Sequence, residues 1–247
     1  MAGRVQEKAG IAMEFGLWQV WEGGWIGAIL RGAVVTIAIG VASMIFGLVI
    51  GIICGLIRWR AIFGLSLLVD LYTSVIRGVP ELLIIYMLFF GSVEFVTRIA
   101  TAFGFGALAD AGYVFFITVA AISAISGAYS TEVIRGALAA IPNGHIEAAV
   151  ALGLSSRRIF ARIIAPQMMR IAFPGINNVW QTTIKDTALV SVVGLQELMR
   201  TAFIGAGSTR SPLIFYAIAA VVYLSITLIS QVGFNKVEAA LSQRKGA

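Results

Sequence analysis

The sequence predicts an all-α integral membrane protein with five transmembrane helices. Of the 247 residues, 59% are hydrophobic and only 12% are charged, against about 45–50% and about 25% in an ordinary globular domain. That is too little polar surface to cover a soluble protein of this size. The apolar residues also run in unbroken stretches long enough to cross a bilayer. A β-barrel would instead show short alternating strands, so the spans are read as helices that satisfy their own backbone hydrogen bonds in lipid.

Gly32 to Ile57 is the first span, a run without a charge, bracketed by Arg31 and by Arg58 and Arg60. At 1.5 Å per residue it is roughly 39 Å long, enough to cross with tilt. Gly40, Gly47, Gly51 and Gly55 offer a close-packing face, though glycine is common in membrane helices generally. Ile62 to Ile76 is apolar apart from Asp70, "RGVPE" follows, and Leu82 to Val93 is apolar again. Glycine and proline beside Arg77 and Glu81 interrupt or kink a helix, so residues 61–96 read as one bent span. A helical hairpin is the alternative, with each half short for a bilayer.

Ala111 to Thr131, again free of charge, makes the third span. Beyond it Glu132 and Arg135, at i and i+3, can pair on one helix face, and Pro142–Asn143–Gly144 ends the helix. Ile171 to Arg200 is too apolar for a soluble loop and too polar to face lipid, holding Asn177, Asn178, Gln181, Lys185 and Asp186. It reads as a fourth span inside a bundle, discontinuous near Lys185–Thr187. Ser211 to Asn235, without a charge, gives the fifth span. The chain thus divides into an amphipathic arm (1–28), a membrane domain (29–235) with an inserted polar loop (141–170), and a basic tail (236–247).

The net charge of +6 does not point to nucleic acid, because the basic residues cluster at span ends. The span 1–2 loop, the 141–170 loop and the tail hold most of them (Arg58, Arg60, Arg157, Arg158, Arg162, Arg170, Lys236, Arg244, Lys245). The opposite loops hold Arg98, Arg200 and Arg210, apart from the N-terminal arm. This bias puts the N-terminus outside and the tail and the 141–170 loop in the cytoplasm. The lone Cys54 excludes an intramolecular disulfide and a cysteine metal site, and the single His145 makes no ligand cluster. No cofactor or metal is expected in this chain. The N-terminal arm has no apolar core of signal-peptide type, so no cleaved leader is expected.

The stretch "EAAVALGLSSRRIFARIIAP", Glu147 to Pro166, lies between spans three and four. It divides into two helical pieces. Asn143 can cap the first, with Glu147 in its early turns. Gly153 breaks it, and Ser155 can cap the second. The first piece is expected to expose Ala148, Ala149, Ala151 and Leu152. Such small apolar side chains suit either a protein docking surface or a helix lying on the headgroups, and the physics alone leaves both open.

The spacing Glu147-Ala148-Ala149, then Gly153, then Ile163 and Pro166 resembles the EAA loop of permease subunits of bacterial ATP-binding-cassette importers, with Ala165 where that family usually carries Leu. "YTSVIRGVPELL" (Tyr72 to Leu83), "GAYSTEVIRGALAAIPNGHIEAA" (Gly127 to Ala149) and "IKDTALVSVVGLQEL" (Ile184 to Leu198) are similar to the polar amino-acid branch, the histidine/arginine/lysine/ornithine/octopine type. The resemblance covers most of residues 29–235. It implies that the EAA loop forms a coupling helix seated in a cleft of a cytoplasmic ATPase, with Glu147 as an anchor and Gly153 permitting the turn. It also implies a pair of ATPase subunits that use ATP and Mg, a second permease (a related chain, or a second copy), a periplasmic solute-binding protein, and an inner-membrane location. This chain carries no Gly-x4-Gly-Lys-Ser/Thr phosphate loop, so it is expected to be a non-catalytic subunit.

Polar side chains inside the membrane are functional candidates, since stranding one in lipid costs on the order of 2.5–3.5 kcal/mol. Asp70, Arg77, Glu81, Asn178, Gln181, Lys185 and Asp186 qualify as candidates for the substrate path. Asp70 and Asp186 could hold the ammonium groups of a basic amino acid or opine. Internal pairing is the competing reading: Arg77 with Glu81 across Pro80, and Asp186 with Lys185 or Arg77. Asp70 has no local cation in the sequence. A self-sufficient secondary transporter is the alternative function, but its inverted repeats are absent beyond "VIRG" at Val75–Gly78 and Val133–Gly136.

Overall fold

A computed structural model describes Val20, residues 23–102 and residues 111–243. Most of the arm expected over 1–28, and the end of the tail from residue 244 on, lie outside these. The described residues are helical throughout, with no strand among them. The helices are α1 (Trp25–Trp59), α2 (Leu65–Gly78), α3 (Glu81–Ala102), α4 (Ala111–Ala139), α5 (Asn143–Ala151), α6 (Ser156–Ile159), α7 (Ala165–Asp186), α8 (Leu198–Thr209) and α9 (Pro212–Gln243). A π-helical turn, Phe160–Ile164, joins α6 to α7, and a 3-10 segment, Thr187–Val193, follows α7.

Three stretches are each long and apolar enough to cross a membrane: Trp25–Trp59, Gly112–Ala139 and Pro212–Leu241. Two further stretches qualify only as bent pairs, and five spans result if each pair counts as one. The first bend falls where the sequence placed it; the second falls at Gly194–Glu197, beyond the Lys185–Thr187 break the sequence suggested, where only the helix type changes from α to 3-10. α2 and α3 meet at 111° across Val79–Pro80, because Pro80 has no N–H to continue the ladder and holds the preceding residue extended. Val79 has φ −107° and ψ 139°. The α-helix of the fourth region ends at Asp186, tightens to 3-10, and turns at Gly194 (φ 92°) before α8. Two boundaries differ from the charge-free runs. α4 continues through Glu132 and Arg135, because the two pair with each other at i,i+3 and Glu132 also meets Arg58 and Arg77 of other helices. α9 runs unbroken through Gln243, past the start of the basic tail.

The most extensive helix contact is α1 on α4, and glycines make it. A Cβ on Gly51 would lie 2.9 Å from the backbone carbonyl carbon of Ser130. Gly47 sits equally tight on Ser126 and Gly55 on Ile134, while Gly127 of α4 receives Ile50. Gly40, two turns before Gly47 on the same side of α1, admits Ile184. The glycine spacing is therefore a packing device, and small residues are how membrane helices approach when no hydrophobic effect drives them together. The pairings also fix direction. Positions 47, 51 and 55 of α1 meet 126, 130 and 134 of α4, so the two helices run parallel. Along α1, Gly40 meets Ile184 and Gly32 meets Leu198, so α7–α8 runs antiparallel to it. Phe173 and Trp180 of α7 both touch Phe234, and Glu197 bonds Tyr223, so α9 runs antiparallel to α7–α8.

The C-terminal ends of α1, α4 and α9 therefore lie together. There Leu56, Trp59, Ile134, Ile141 and Phe234 share one apolar cluster with Ala149 of α5 and Ile159 of α6. Gly51→Ala is expected to destabilise the protein by about 1–3 kcal/mol through overpacking against backbone. Gly136→Ala, with open space around its Cβ, should be neutral or up to about 1 kcal/mol stabilising from lost chain entropy. Thermal unfolding of the two variants in detergent checks the difference in sign.

Candidate functional site

The polar loop presents a short helix with one face held to the body and one face free. α5 starts after Pro142, which is extended at φ −61° and ψ 130°. Asn143 is the first helical residue and not the cap that the sequence suggested; the fixed φ of Pro142 sets the start instead. Ser155 does occupy the cap position of α6, but its side chain makes no capping bond. α5 ends in a glycine turn with Gly153 at φ 71°. The Leu154 N–H donates to Ala149 O at 3.1 Å and the Gly153 N–H to Val150 O at 2.9 Å, the paired closing bonds of a Schellman motif.

The expectation that Ala149 is exposed is corrected: it is 2% exposed, and with Ile146 and Leu154 it packs into the apolar cluster. The free face carries Glu147, Ala148, Val150 (60% exposed), Ala151 and Leu152 (79%). Arg157 and Arg158 flank it, both exposed. Nδ1 of His145 hydrogen-bonds Oε1 of Gln167 at 2.9 Å and ties α5 to α7. Ile163 lies in the π-helical turn, half-buried, and Pro166 is exposed in the first turn of α7. The helix therefore does not stop at this proline. The widened π turn just before it accommodates a residue with no N–H, and the chain continues as helix.

The charged candidates form two groups that meet at Arg77. In the first, Glu132 of α4 receives three guanidiniums. Arg58 of α1 bonds Glu132 Oε1, and Arg135 reaches Oε2 at 2.9–3.0 Å. Arg77 of α2 lies 3.8 Å away. Arg58 also pairs with Asp70 at 2.5 Å. Asp70 therefore has a cation, which the turn between α1 and α2 brings over from the end of α1, and it belongs to a helix-joining network. In the second group, Tyr129 Oη donates to Glu81 Oε1 at 3.1 Å, and the Arg77 guanidinium lies 5.8 Å from the Tyr129 ring centre. Asp186 is within electrostatic range of both Glu81 and Tyr129. The expected Arg77–Glu81 pair gives way to these contacts, because the sharp bend at Val79–Pro80 turns α3 off the axis of α2. Tyr129, one turn from Glu132, was not legible as a site residue in the sequence.

Three candidates lie elsewhere. Gln181 joins Asn177, Gln231 and Asn235 in an amide ladder between α7 and α9, the Gln231–Asn235 bond at 2.8 Å. Asn178 is exposed. Lys185 is exposed and lines an apolar cavity of about 320 Å³ with Tyr216 and Tyr223, not paired with Asp186. Glu197, inside a quoted motif but not singled out, is fully buried. It accepts from the backbone N–H of Met199 and Arg200 (2.8 and 2.6 Å), from Tyr223 Oη (2.9 Å) and from Thr36 Oγ1 (3.3 Å). It caps α8 and ties it to α1 and α9. Glutamate is not among the favoured N-cap residues, which is why the sequence did not announce it.

Spanning helices, a charge cluster around a proline-broken helix pair and a short helix with one free face are the frame of a membrane component. The chain belongs to the family described as binding-protein-dependent transport system inner membrane component, which matches residues 47–242. It is thus a permease component of an ABC-type importer. It is 44% identical to the nopaline transport system permease protein NocQ of Agrobacterium fabrum, over 92% of this chain and 96% of that one. It is 39% identical to the histidine/lysine/arginine/ornithine transport system permease protein HisQ of Escherichia coli, over 84% and 90%. A crystal structure of an amino acid ABC transporter with histidines superposes at a TM-score of 0.72, with 26% identity over 91% of this chain and 97% of that one.

Glu132 is 20% exposed and Asp70 47%, so their replacements should differ. Glu132→Gln leaves three guanidiniums facing one another in a partly buried site, a change of the kind that costs up to about 3–5 kcal/mol when fully buried. Asp70→Asn removes one half-exposed pair, worth about 0–1 kcal/mol. Unfolding temperatures of the purified variants should show the larger drop for Glu132→Gln.

Proposed function

We propose that this chain forms the membrane path for a basic amino acid or opine, in an importer driven by two ATPase subunits, one of them docked on α5. The observation that carries this reading is the free face of α5. Val150 and Leu152 stand out at the membrane-domain surface beside Arg157 and Arg158 while Ala149 anchors the same helix to the core. A helix that only had to be buried would not be built this way, and a cleft on a soluble partner would cover it. ATP and Mg belong to that partner, and this chain needs no cofactor of its own. A second permease, related or identical, completes the pore, and a periplasmic binding protein delivers the substrate.

The helix directions support five spans. α1 and α4 run parallel, so the chain between them must recross the membrane once, and α2 with α3 makes one bent span. α7–α8 then returns antiparallel and α9 runs parallel to α1. The positive bias at the α5 end supports a cytoplasmic placement of that end, with the N-terminus outside. The substrate class is supported by the relatives' names, and by two carboxylates and one guanidinium gathered near Tyr129. Glu81 and Asp186 would receive the ammonium groups and Arg77 the carboxylate. Asp70 would act through the network around Arg58.

Affinity capture of the tagged chain from mild detergent should bring an ATPase and a second permease. The ATPase should be lost from a Glu147→Lys/Gly153→Asp variant that still retains the second permease. Capture of the chain alone, with ATP-independent uptake in liposomes, would overturn the reading in favour of a secondary transporter. Separately, Glu81→Gln or Asp186→Asn should raise the KM for basic substrates about 10-fold or more, the worth of one charge-assisted hydrogen bond. Uptake assays with lysine and a neutral amino acid side by side check that the loss follows substrate charge.

A further inference from the structure

α7 carries a polar stripe that is ill suited to lipid. Asn178, Thr182 and Lys185 are all exposed, and at i, i+4 and i+7 they stand on one side of the helix. α1 shows what a lipid-facing surface looks like in this chain: every exposed residue between Gly32 and Ile57 is apolar, among them Val34, Ile45, Phe46 and Ile53. The stripe lies within the same layer. Ile184 meets Gly40 of α1, which is eight residues, or about 12 Å, inside Gly32. A lysine at that depth is costly in lipid and marks a water-filled path or a partner.

Both edges of the stripe are polar. On one, Asp186 is within electrostatic range of Glu81 and Tyr129. On the other, Gln181 bonds Gln231 of α9. The stripe therefore runs between the carboxylates of the path and the amide ladder, and Lys185 stands at its carboxylate end. No described acid forms an ion pair with Lys185. Asp186, its neighbour in the chain, lies about 100° away round the helix. The cavity of about 320 Å³ beside Lys185 is lined by Ala188, Met199, Tyr216 and Tyr223. It gives the apolar stem of the lysine a wall without offering its ammonium a charge.

A path lined by Glu81 and Asp186 attracts every small cation, so sodium and potassium compete there with a basic substrate. A fixed positive charge at the same level opposes them, as basic side chains do in pores. A basic amino acid or opine differs from a bare ion in carrying at least one carboxylate, which offsets that repulsion. We propose that Lys185 is a selectivity residue of this path: its ammonium excludes inorganic cations and admits a cationic substrate because that substrate brings a carboxylate. This rests on the path reading given above.

The test is the entry of radioactive rubidium into liposomes holding the complete transporter with its ATPase and binding protein, at rest and during ATP-driven lysine uptake. The wild type should match empty liposomes in both states. Lys185→Met should raise rubidium entry during turnover about 10-fold or more, and Lys185→Arg should not. Adding Asp186→Asn to Lys185→Met should bring the entry back down. A second route uses Lys185→Cys in a Cys54→Ala background. A cationic aminoethyl thiosulfonate should close its leak, and the neutral methyl reagent should not. Rubidium entry at the wild-type level in both Lys185→Met and unmodified Lys185→Cys overturns the proposal. So does a thiol at position 185 that only a lipid-soluble maleimide reaches. The path reading fails separately: a KM for lysine unchanged in both Glu81→Gln and Asp186→Asn overturns it, and this proposal with it. A raised KM in those variants with no leak in Lys185→Met overturns this proposal alone.

Discussion

The close approach of α1 to α4 is the contact on which the rest of the fold depends. Gly47, Gly51 and Gly55 remove the side chains that would hold the two backbones apart, and Gly127 does the same from the other side. With the helices this near, polar groups on one reach the backbone of the other. Ser126 Oγ donates to Ser43 O at 3.2 Å, and Tyr72 of α2 reaches Ala124 O at 2.5 Å. Such bonds are favourable in lipid only if the partner is already in place. The seam also sets where charge can lie. Because α1 and α4 run parallel and in register, Arg58 near the end of one arrives beside Glu132 near the end of the other. A charged residue can then extend a spanning helix past its apolar stretch.

The network around Glu132 has more arginine than carboxylate: Arg58, Arg77 and Arg135 face Glu132 and Asp70. Arg77 is the residue with a second environment, over Tyr129 and near Glu81. It sits in the last turn of α2, immediately before the break at Val79–Pro80. A guanidinium at a hinge, between two acid-bearing sites on a rigid helix, can change partners when the hinge moves without leaving either acid bare. The alternative, a side chain stranded in an apolar interior, would be costly enough to block the motion. The bent span and the charge cluster are thus parts of one arrangement.

Much of this was legible in the sequence. Span existence follows from charge-free length, the first break from Gly-Val-Pro, and the Gly153 turn from glycine after an alanine-rich helix; the second break lies at Gly194, where the polar run at Lys185–Thr187 drew attention to the wrong residues. What failed is instructive in each case. Asp70 looked unpaired because its cation, Arg58, lies across a helix turn and outside the i,i+4 window in which sequence spacing can be read. Arg77 and Glu81 looked paired because that window assumes a straight helix. Ala149 looked exposed because a short helix of small apolar side chains has almost no hydrophobic periodicity to say which face turns inward. Glu197 went unmarked because a buried carboxylate with four donors is defined by Thr36, Tyr223 and two backbone amides that no local pattern assembles.

The same geometry explains why the free face of α5 is placed where it is. From Ser156 the chain is helical without a break through the π-helical turn and α7 to Asp186. At 1.5 Å per residue this is a rod of about 46 Å, carrying the proposed docking region at one end and a candidate substrate carboxylate at the other. α5 is fastened to the base of that rod by the apolar packing of Ala149 and Ile159 and by the His145–Gln167 bond. A push on α5 is therefore delivered to the rod and not absorbed in a loop. At the far end the regular helix gives way to 3-10 and then to Gly194, and the next element, α8, is held fast by the buried Glu197. Motion transmitted along the rod has to be taken up between Asp186 and Gly194, beside Glu81 and Tyr129. The change from α- to 3-10 helix and the candidate substrate-binding charges are in one place, where the proposed transport step would change the site's access.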